Sequence, residues 1–281
     1  MASEIVPGRL FLGPEVAMPE LARRLLDGGV GVLILRCMEC APDTLDYRAV
    51  VGLDDATPKT AAVTIDVDGP RPPASAAAAP SSAGVPAPTA RMHHLVLRDE
   101  PSQDIAQQAI PDAVDLVGEW LALDAATDQP HQRRAVLVHC AAGVSRSASI
   151  TVALVMNFGE RLCGPDLLDA ALAGPLPRRA HGRVGLERAL SFVASRRRVV
   201  SPNEGFLAQL MAYEAAIGAG GGDDGLQPTF DPKAHKVRTL AGVCGASHAT
   251  ALRALEEANM DINRAAEFIF TGVVGGGGAD Q

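Results

Sequence analysis

Apolar and polar positions divide the chain into short segments of two periods. Residues 3–13 alternate closely enough to predict a strand ending in the Leu12-Gly13-Pro14 turn. From Met18 to Leu26 the apolar residues Met18, Leu21 and Leu25 fall at helical spacing, and Gly28-Gly29 supplies the stop signal. Val30 to Leu35 is a run of β-branched and leucine residues bounded by glycine, which predicts a strand buried on both faces. Strand, helix, strand in that order implies a parallel α/β beginning. A strand at His94 to Leu97 follows, then a helical pattern from Ile105 to Leu123 carrying Ile110, Val114, Val117 and Leu121, with Pro111 near its first turn. Val136 to Val138 reads as a buried strand, the next residues as a tight small-residue loop, and Ile150 to Met156 as a helix. Leu186 to Arg197 is expected to turn Leu186, Leu190 and Val193 inward, and Phe206 to Ile217 to form the last helix of the main domain.

The segments between these elements differ in composition. Residues 54–92 are rich in Pro, Ala and Ser and cannot bury enough apolar surface to repay ordering, so a disordered insertion in a surface loop is expected there. A fold can carry it, because each doubling of loop length costs only about 0.6 kcal/mol of closure entropy. Val63 to Val67 is a candidate edge strand within it, and the tract itself a candidate docking or phosphorylation segment. Arg161 to Gly185 reads as a loop or weak helix, and Arg196-Arg197-Arg198 as a solvated helix end suited to its own dipole, with attraction of an acidic substrate as the alternative. Gly218 to Gly225 is a flexible linker. Beyond it lie helical patterns at Val237 to Val243, Thr250 to Ala258 (capped by Ser247) and Ile262 to Phe270, whose Leu252, Leu255, Ile262, Ala266 and Ile269 can meet in a small core. The expected organisation is therefore an α/β domain over 1–217 with a central, mostly parallel sheet flanked by helices, a linker over 218–229, a small three-helix all-α domain over 230–272 and a disordered tail over 273–281.

The chemistry concentrates at His139-Cys140-Ala141-Ala142-Gly143-Val144-Ser145-Arg146-Ser147. With five residues between Cys140 and Arg146, a loop curled around an anion aims the backbone N–H groups of Ala141, Ala142, Gly143, Val144, Ser145 and Arg146 inward, while the arginine side chain returns to grip the same anion. Cys140 at the mouth of a helix N-terminus feels the positive dipole end, which lowers thiol pKa values into the range of about 3.5–7.5. Gly143 permits a conformation and a close approach that a side chain would obstruct. Arg146 offers a planar fork for two phosphoryl oxygens. Ser147 can donate a hydrogen bond to the sulfur, and His139 reads as a residue that orients the loop. Asp99 sits on a loop just after a strand end, the edge where α/β sheets assemble their sites, with Glu100 and Asp104 as competing carboxylates.

His-Cys-x-x-Gly-x-Ser-Arg-Ser, as it stands from His139 to Ser147, resembles the signature of the dual-specificity branch of the protein tyrosine phosphatases. Ile5 to Gly13 is similar to that family's opening strand and Ser201 to Leu210 to its closing helix. The resemblance implies a protein tyrosine phosphatase-like fold and a cysteine-dependent phosphatase acting on phosphotyrosine and phosphoserine or phosphothreonine in a phosphoprotein. Cys140 is then the nucleophile, Arg146 the phosphate clamp, Asp99 the general acid and Ser147 the aid to sulfur departure, with no cofactor and no metal. It further implies that a cysteine near the strand end, Cys37 or Cys40, forms a protective disulfide with the nucleophile on oxidation. As a lone Cys-x-x-Cys, the same pair offers only half of a structural zinc site. The loop lacks the lysines of inositol-phospholipid phosphatases, which makes a lipid head group the less favoured substrate. Ala254 to Ile269 resembles a ubiquitin-associated domain, which implies ubiquitin or another protein as a partner of residues 230–272. Val243-Cys244-Gly245-Ala246 departs from the Met-Gly-aromatic loop usual there and offers less apolar surface.

Bulk properties narrow the setting. A chain of 281 residues, 47% hydrophobic, holds one core of ordinary size and something smaller. A net charge of −8 points to neither nucleic acid nor an anionic membrane as a general partner. No apolar run reaches the roughly 20 residues that span a bilayer, and five cysteines with one placed for catalysis suit a reducing compartment, so a cytoplasmic or nuclear protein is expected. His131, His181 and His248 have no partners in sequence and read as surface residues. The rival reading of another class is a phosphate-binding adaptor without catalysis.

Overall fold

The computed structural model describes residues 1–39, 63–66, 90–126, 133–171, 183–219 and 230–273. The chain divides into two compact units, Met1–Leu226 and Gln227–Gln281. Most of the insertion proposed over 54–92, of the linker over 218–229 and of the tail lies outside the described residues, as do His131, His181 and Cys40, while the first two linker residues end a helix.

The first unit is built on six strands, β1 (Ser3–Val6), β2 (Leu10–Pro14), β3 (Gly31–Met38), β4 (Val63–Asp66), β5 (Ala90–Val96) and β6 (Arg134–Cys140), in the spatial order β1-β2-β6-β3-β5-β4. Every neighbouring pair is parallel except β1 and β2. The single strand expected over 3–13 is thus a hairpin. Pro7 has no N–H to continue a ladder. Gly8 takes φ +66°, and its N–H donates to Glu4 Oε1 at 2.6 Å, so the chain folds back on itself. β4 occupies the sheet edge and pairs with β5.

The centre of the sheet is β6, all seven residues of which are buried. Its two faces are covered by different helices. Helix α1 (Met18–Asp27) packs Met18, Ala22 and Leu26 over Phe11, Val32, Ile34, Met92 and Leu137. On the other side lies α3 (Arg146–Ala171), with α2 (Ala109–Ala126), α4 (Leu186–Arg196) and α5 (Glu204–Ala219) packed around it. The residues from Ala148 to Met156 are all buried, which explains why this stretch reads as apolar all round. Each aliphatic side chain buried there contributes roughly 1.5–3 kcal/mol. Helix α3 runs on through Gly164-Pro165 to Ala171, so the first part of the stretch from Arg161, read as a loop or weak helix, is helix. Glu214 of α5 is buried and accepts a hydrogen bond from the Leu186 amide at 2.9 Å, so one helix caps the next.

The second unit contains α6 (Pro232–Cys244), α7 (His248–Glu257) and α8 (Ile262–Phe270). Asp231, Ser247 and Asp261 cap them with side-chain oxygens, and Gly245 closes α6 in the left-handed conformation at φ +63°. Its core is Leu240, Ala241, Ala251, Ala254, Leu255, Ala258 and Ala265, lined by the partly buried Ile262, Ala266 and Ile269. Leu252, expected in this core, is only partly buried, and Ala251 and Ala254 face inward beside Leu255.

Candidate active site

β6 ends at Cys140, at the C-terminal end of the sheet's parallel strands, and α3 starts at Arg146, so the five residues between them must turn sharply. Gly143 makes the turn at φ +69°, and a Cβ there would come within 2.5–2.9 Å of the Gly13 backbone at the end of β2. The loop is therefore wedged against a second glycine. Its amides converge on the Cys140 sulfur, which receives hydrogen bonds from Gly143 N at 3.2 Å and Ser147 Oγ at 3.1 Å. Burial alone would raise the thiol pKa. The Ser147 hydroxyl and the amides of Ser147, Gly143 and Val144 more than offset it, and the pKa ends below its ordinary value.

His139, next to the nucleophile, is fully buried. Burial first, then the nearby Arg36 and His94, pull its pKa down to about 3. It is a neutral imidazole at physiological pH and carries no proton to deliver.

Arg146 is 13% exposed and donates from Nη1 to Leu97 O at 3.4 Å. Its Nε, buried and without a hydrogen-bond partner among the described residues, lies 3.7 Å from Asp99 Oδ2. Asp99 therefore faces the arginine across the site. Its other oxygen, Oδ1, accepts from Ser145 Oγ at 2.6 Å and from Asn203 Nδ2 at 3.1 Å. Of its competitors, Asp104 accepts from Gln107 N at 3.1 Å and so caps the turn before α2.

Three further residues shape the site, all within the segment Ser201 to Leu210 that the sequence left without individual roles. Asn203 caps α5 by accepting from Phe206 N at its Oδ1 at 2.9 Å while its backbone N–H donates to Ser145 Oγ at 3.2 Å. Gln209 holds the Asp99 loop from farther along α5, accepting from Ile105 N at 2.6 Å and donating to Gln103 O at 2.8 Å. Gly205 lies against Pro101, whose carbonyl would collide with any Cβ there. The available signal was a capping asparagine two residues before a glycine. Arg197 departs from its expected place at a solvated helix end, for it hydrogen-bonds the loop carbonyls of Gly143 and Ala142.

Cys37 is fully buried on β3. The β3–β6 register matches Arg36 with His139, so Cys37 falls opposite Cys140. Burial, then the charge of Cys140, pushes its pKa well up. His248, at the start of α7, is exposed as expected.

The chain is similar to dual-specificity protein phosphatases. Dual specificity protein phosphatase 14 of Mus musculus is 36% identical over 101 residues, which cover 34% of this chain and 39% of that protein. Dual specificity protein phosphatase 4 of Gallus gallus is 37% identical over 82 residues, covering 29% of this chain and 16% of the relative. The match thus spans well under half of either relative. The solved structure of human DUSP28 overlays 77% of this chain and 94% of its own, at 21% identity and a TM-score of 0.40. No family model matches the chain. Among the described residues no helix is long and apolar enough to cross a membrane.

Proposed function

We propose that the chain is a cysteine-dependent protein phosphatase that hydrolyses phosphotyrosine and phosphoserine or phosphothreonine through a cysteinyl-phosphate intermediate. The observation that carries this reading is the Cys140 sulfur, hydrogen-bonded by Gly143 N and Ser147 Oγ, on the loop that ends at Arg146, whose Nε lies 3.7 Å from the Asp99 carboxylate. The thiolate attacks phosphorus in line with the departing oxygen. As the S–P bond forms and the P–O bond breaks, Asp99 gives its proton to that oxygen. Water then attacks phosphorus, Asp99 takes a proton back, and the S–P bond breaks to release inorganic phosphate while Ser147 steadies the leaving sulfur. Inward amides from Ala141 to Arg146 and the Arg146 guanidinium hold the three equatorial oxygens as charge redistributes.

A phosphate-binding adaptor would need neither a polarised thiol nor a carboxylate held across from it. Hydrolysis of a small aryl phosphate by the wild type but not by Cys140→Ser is the expected result. Equal rates in the two proteins would return the adaptor reading.

We further infer that residues 230–272 form a ubiquitin-associated-like module that docks ubiquitin or another protein. Three capped helices around an alanine-rich core support this reading, as do Val243 and Phe270, each 69% exposed. The full chain is expected to be retained on immobilised ubiquitin and Val243→Asp to pass through; no retention of the wild type removes ubiquitin as the partner. We infer a cytoplasmic or nuclear site of action, because a reducing compartment keeps the nucleophilic thiol free of disulfides.

A further inference from the structure

Arg197, just beyond α4, has no part in the steps above, yet its guanidinium grips the signature loop from behind. Nε donates to Gly143 O at 2.8 Å and Nη2 to Ala142 O at 3.0 Å, while Nη1 reaches Ser3 Oγ at 3.4 Å and Met1 O at 3.1 Å. We propose that Arg197 is a positioning residue for the nucleophile, holding these two loop carbonyls outward so that the amides of Gly143 and Val144 point at the Cys140 sulfur and at the oxyanion it engages. This deepens the phosphatase reading and rests on it.

The reason lies in the peptide plane. A trans peptide is rigid, and its C=O and N–H point in opposite directions. Ala142 O shares a plane with Gly143 N, and Gly143 O shares one with Val144 N. These are two of the amides that lower the Cys140 pKa. Gly143, at φ +69°, joins the two planes, and its own oxygen and that of Ala142 stand close enough for one guanidinium to bond both, so their like partial charges crowd. A planar cation with several donors satisfies both at once, which a lysine ammonium on a flexible stem does poorly. Gly13 stops the loop from the other side, so the loop is fixed between a backbone wall and an arginine. Charge works in the same direction. Burial lowers the Arg197 pKa and the nearby Cys140 acts to raise it, so the guanidinium and the sulfur attract one another across the loop.

Cys140 titrates in the company of Cys37 on β3, Arg146 at the start of α3 and Arg197 beyond α4. The test follows iodoacetamide alkylation of the Cys140 peptide against pH by mass spectrometry, and calorimetric binding of inorganic tungstate, in the full chain. Arg197→Ala is expected to raise the Cys140 midpoint by about one unit and weaken tungstate about tenfold. Arg197→Lys, which keeps the charge but reaches one carbonyl at a time, is expected to show both shifts at smaller size. Arg196→Ala removes an equal charge from an exposed side chain stacked on Phe192 and is expected to move neither. A folded Arg197→Ala protein with both readouts unchanged overturns the proposal, as does an Arg196→Ala protein that shifts them as far. Should the alanine variant fail to fold, an Arg197→Lys protein indistinguishable from wild type in both readouts overturns it too. Neither readout depends on turnover, so failure of the clamp and failure of the phosphatase reading are told apart.

Discussion

Two atoms of Ser147 govern the nucleophile, since its hydroxyl and its amide both contribute to holding the Cys140 pKa down. The hydroxyl lies 3.1 Å from the sulfur, in a residue with no solvent exposure, so its bond to a thiolate has no competition from water. Hydrogen bonds to charged groups contribute about 1.5–3 kcal/mol. Ser147→Ala should therefore raise the alkylation midpoint of Cys140 and slow breakdown of the phosphoenzyme by about tenfold or more. Rapid-quench kinetics would then show a burst of released phenol followed by a slow steady state; a uniform loss of both phases would remove Ser147 from the second step. Cys140, Arg146 and Ser147 were legible because their roles depend on neighbours a few positions away. Arg197 was not, because a basic residue at a helix end is ordinarily solvated and nothing nearby in sequence marks the carbonyls it holds.

At the level of elements, β6, its loop and α3 form the part that binds, and α5 positions the part that donates a proton. Asn203, Gly205 and Gln209 all touch the Asp99 loop or its partner Ser145, so the start of α5 sets where the carboxylate stands. Gly205→Ala would force Pro101 away and carry Asp99 with it. Protonation matters most for a poor leaving group. The variant should lose about tenfold or more in kcat on phenyl phosphate and much less on 4-nitrophenyl phosphate; equal losses on both would mean the damage lies in the loop rather than in the acid. Element order, helix caps and the edge strand were readable from periodicity and turn residues. The β1–β2 hairpin was not, because alternation over residues 3–13 looks the same whether or not Gly8 reverses the chain.

For the whole molecule, the buried imidazole of His139 ties stability to acidity. Its pKa is about 3 in the folded chain against an ordinary 6.5. Above pH 6.5 both states are neutral at this group and it contributes no pH dependence. Below that, the unfolded chain takes up a proton that the native fold refuses, so stability falls by up to about 1.4 kcal/mol per pH unit until the folded value is reached. Urea midpoints measured from pH 7 to pH 4 should decline, and less steeply in His139→Gln; identical slopes would assign the decline to other groups.

Local spacing along the chain was enough to show that a thiol would sit between a strand and a helix, with five residues between it and an arginine, because a loop that short leaves its backbone little freedom. It also determined the punctuation of the helices, since caps and left-handed glycines act locally. Packing alone brings Asp99 to Ser145 and Asn203, partners 46 and 104 positions away, and Arg197 to a loop 54 positions behind it. Those contacts are made where the sheet edge, α3 and α5 converge, and no periodicity along the chain encodes where packed elements will meet.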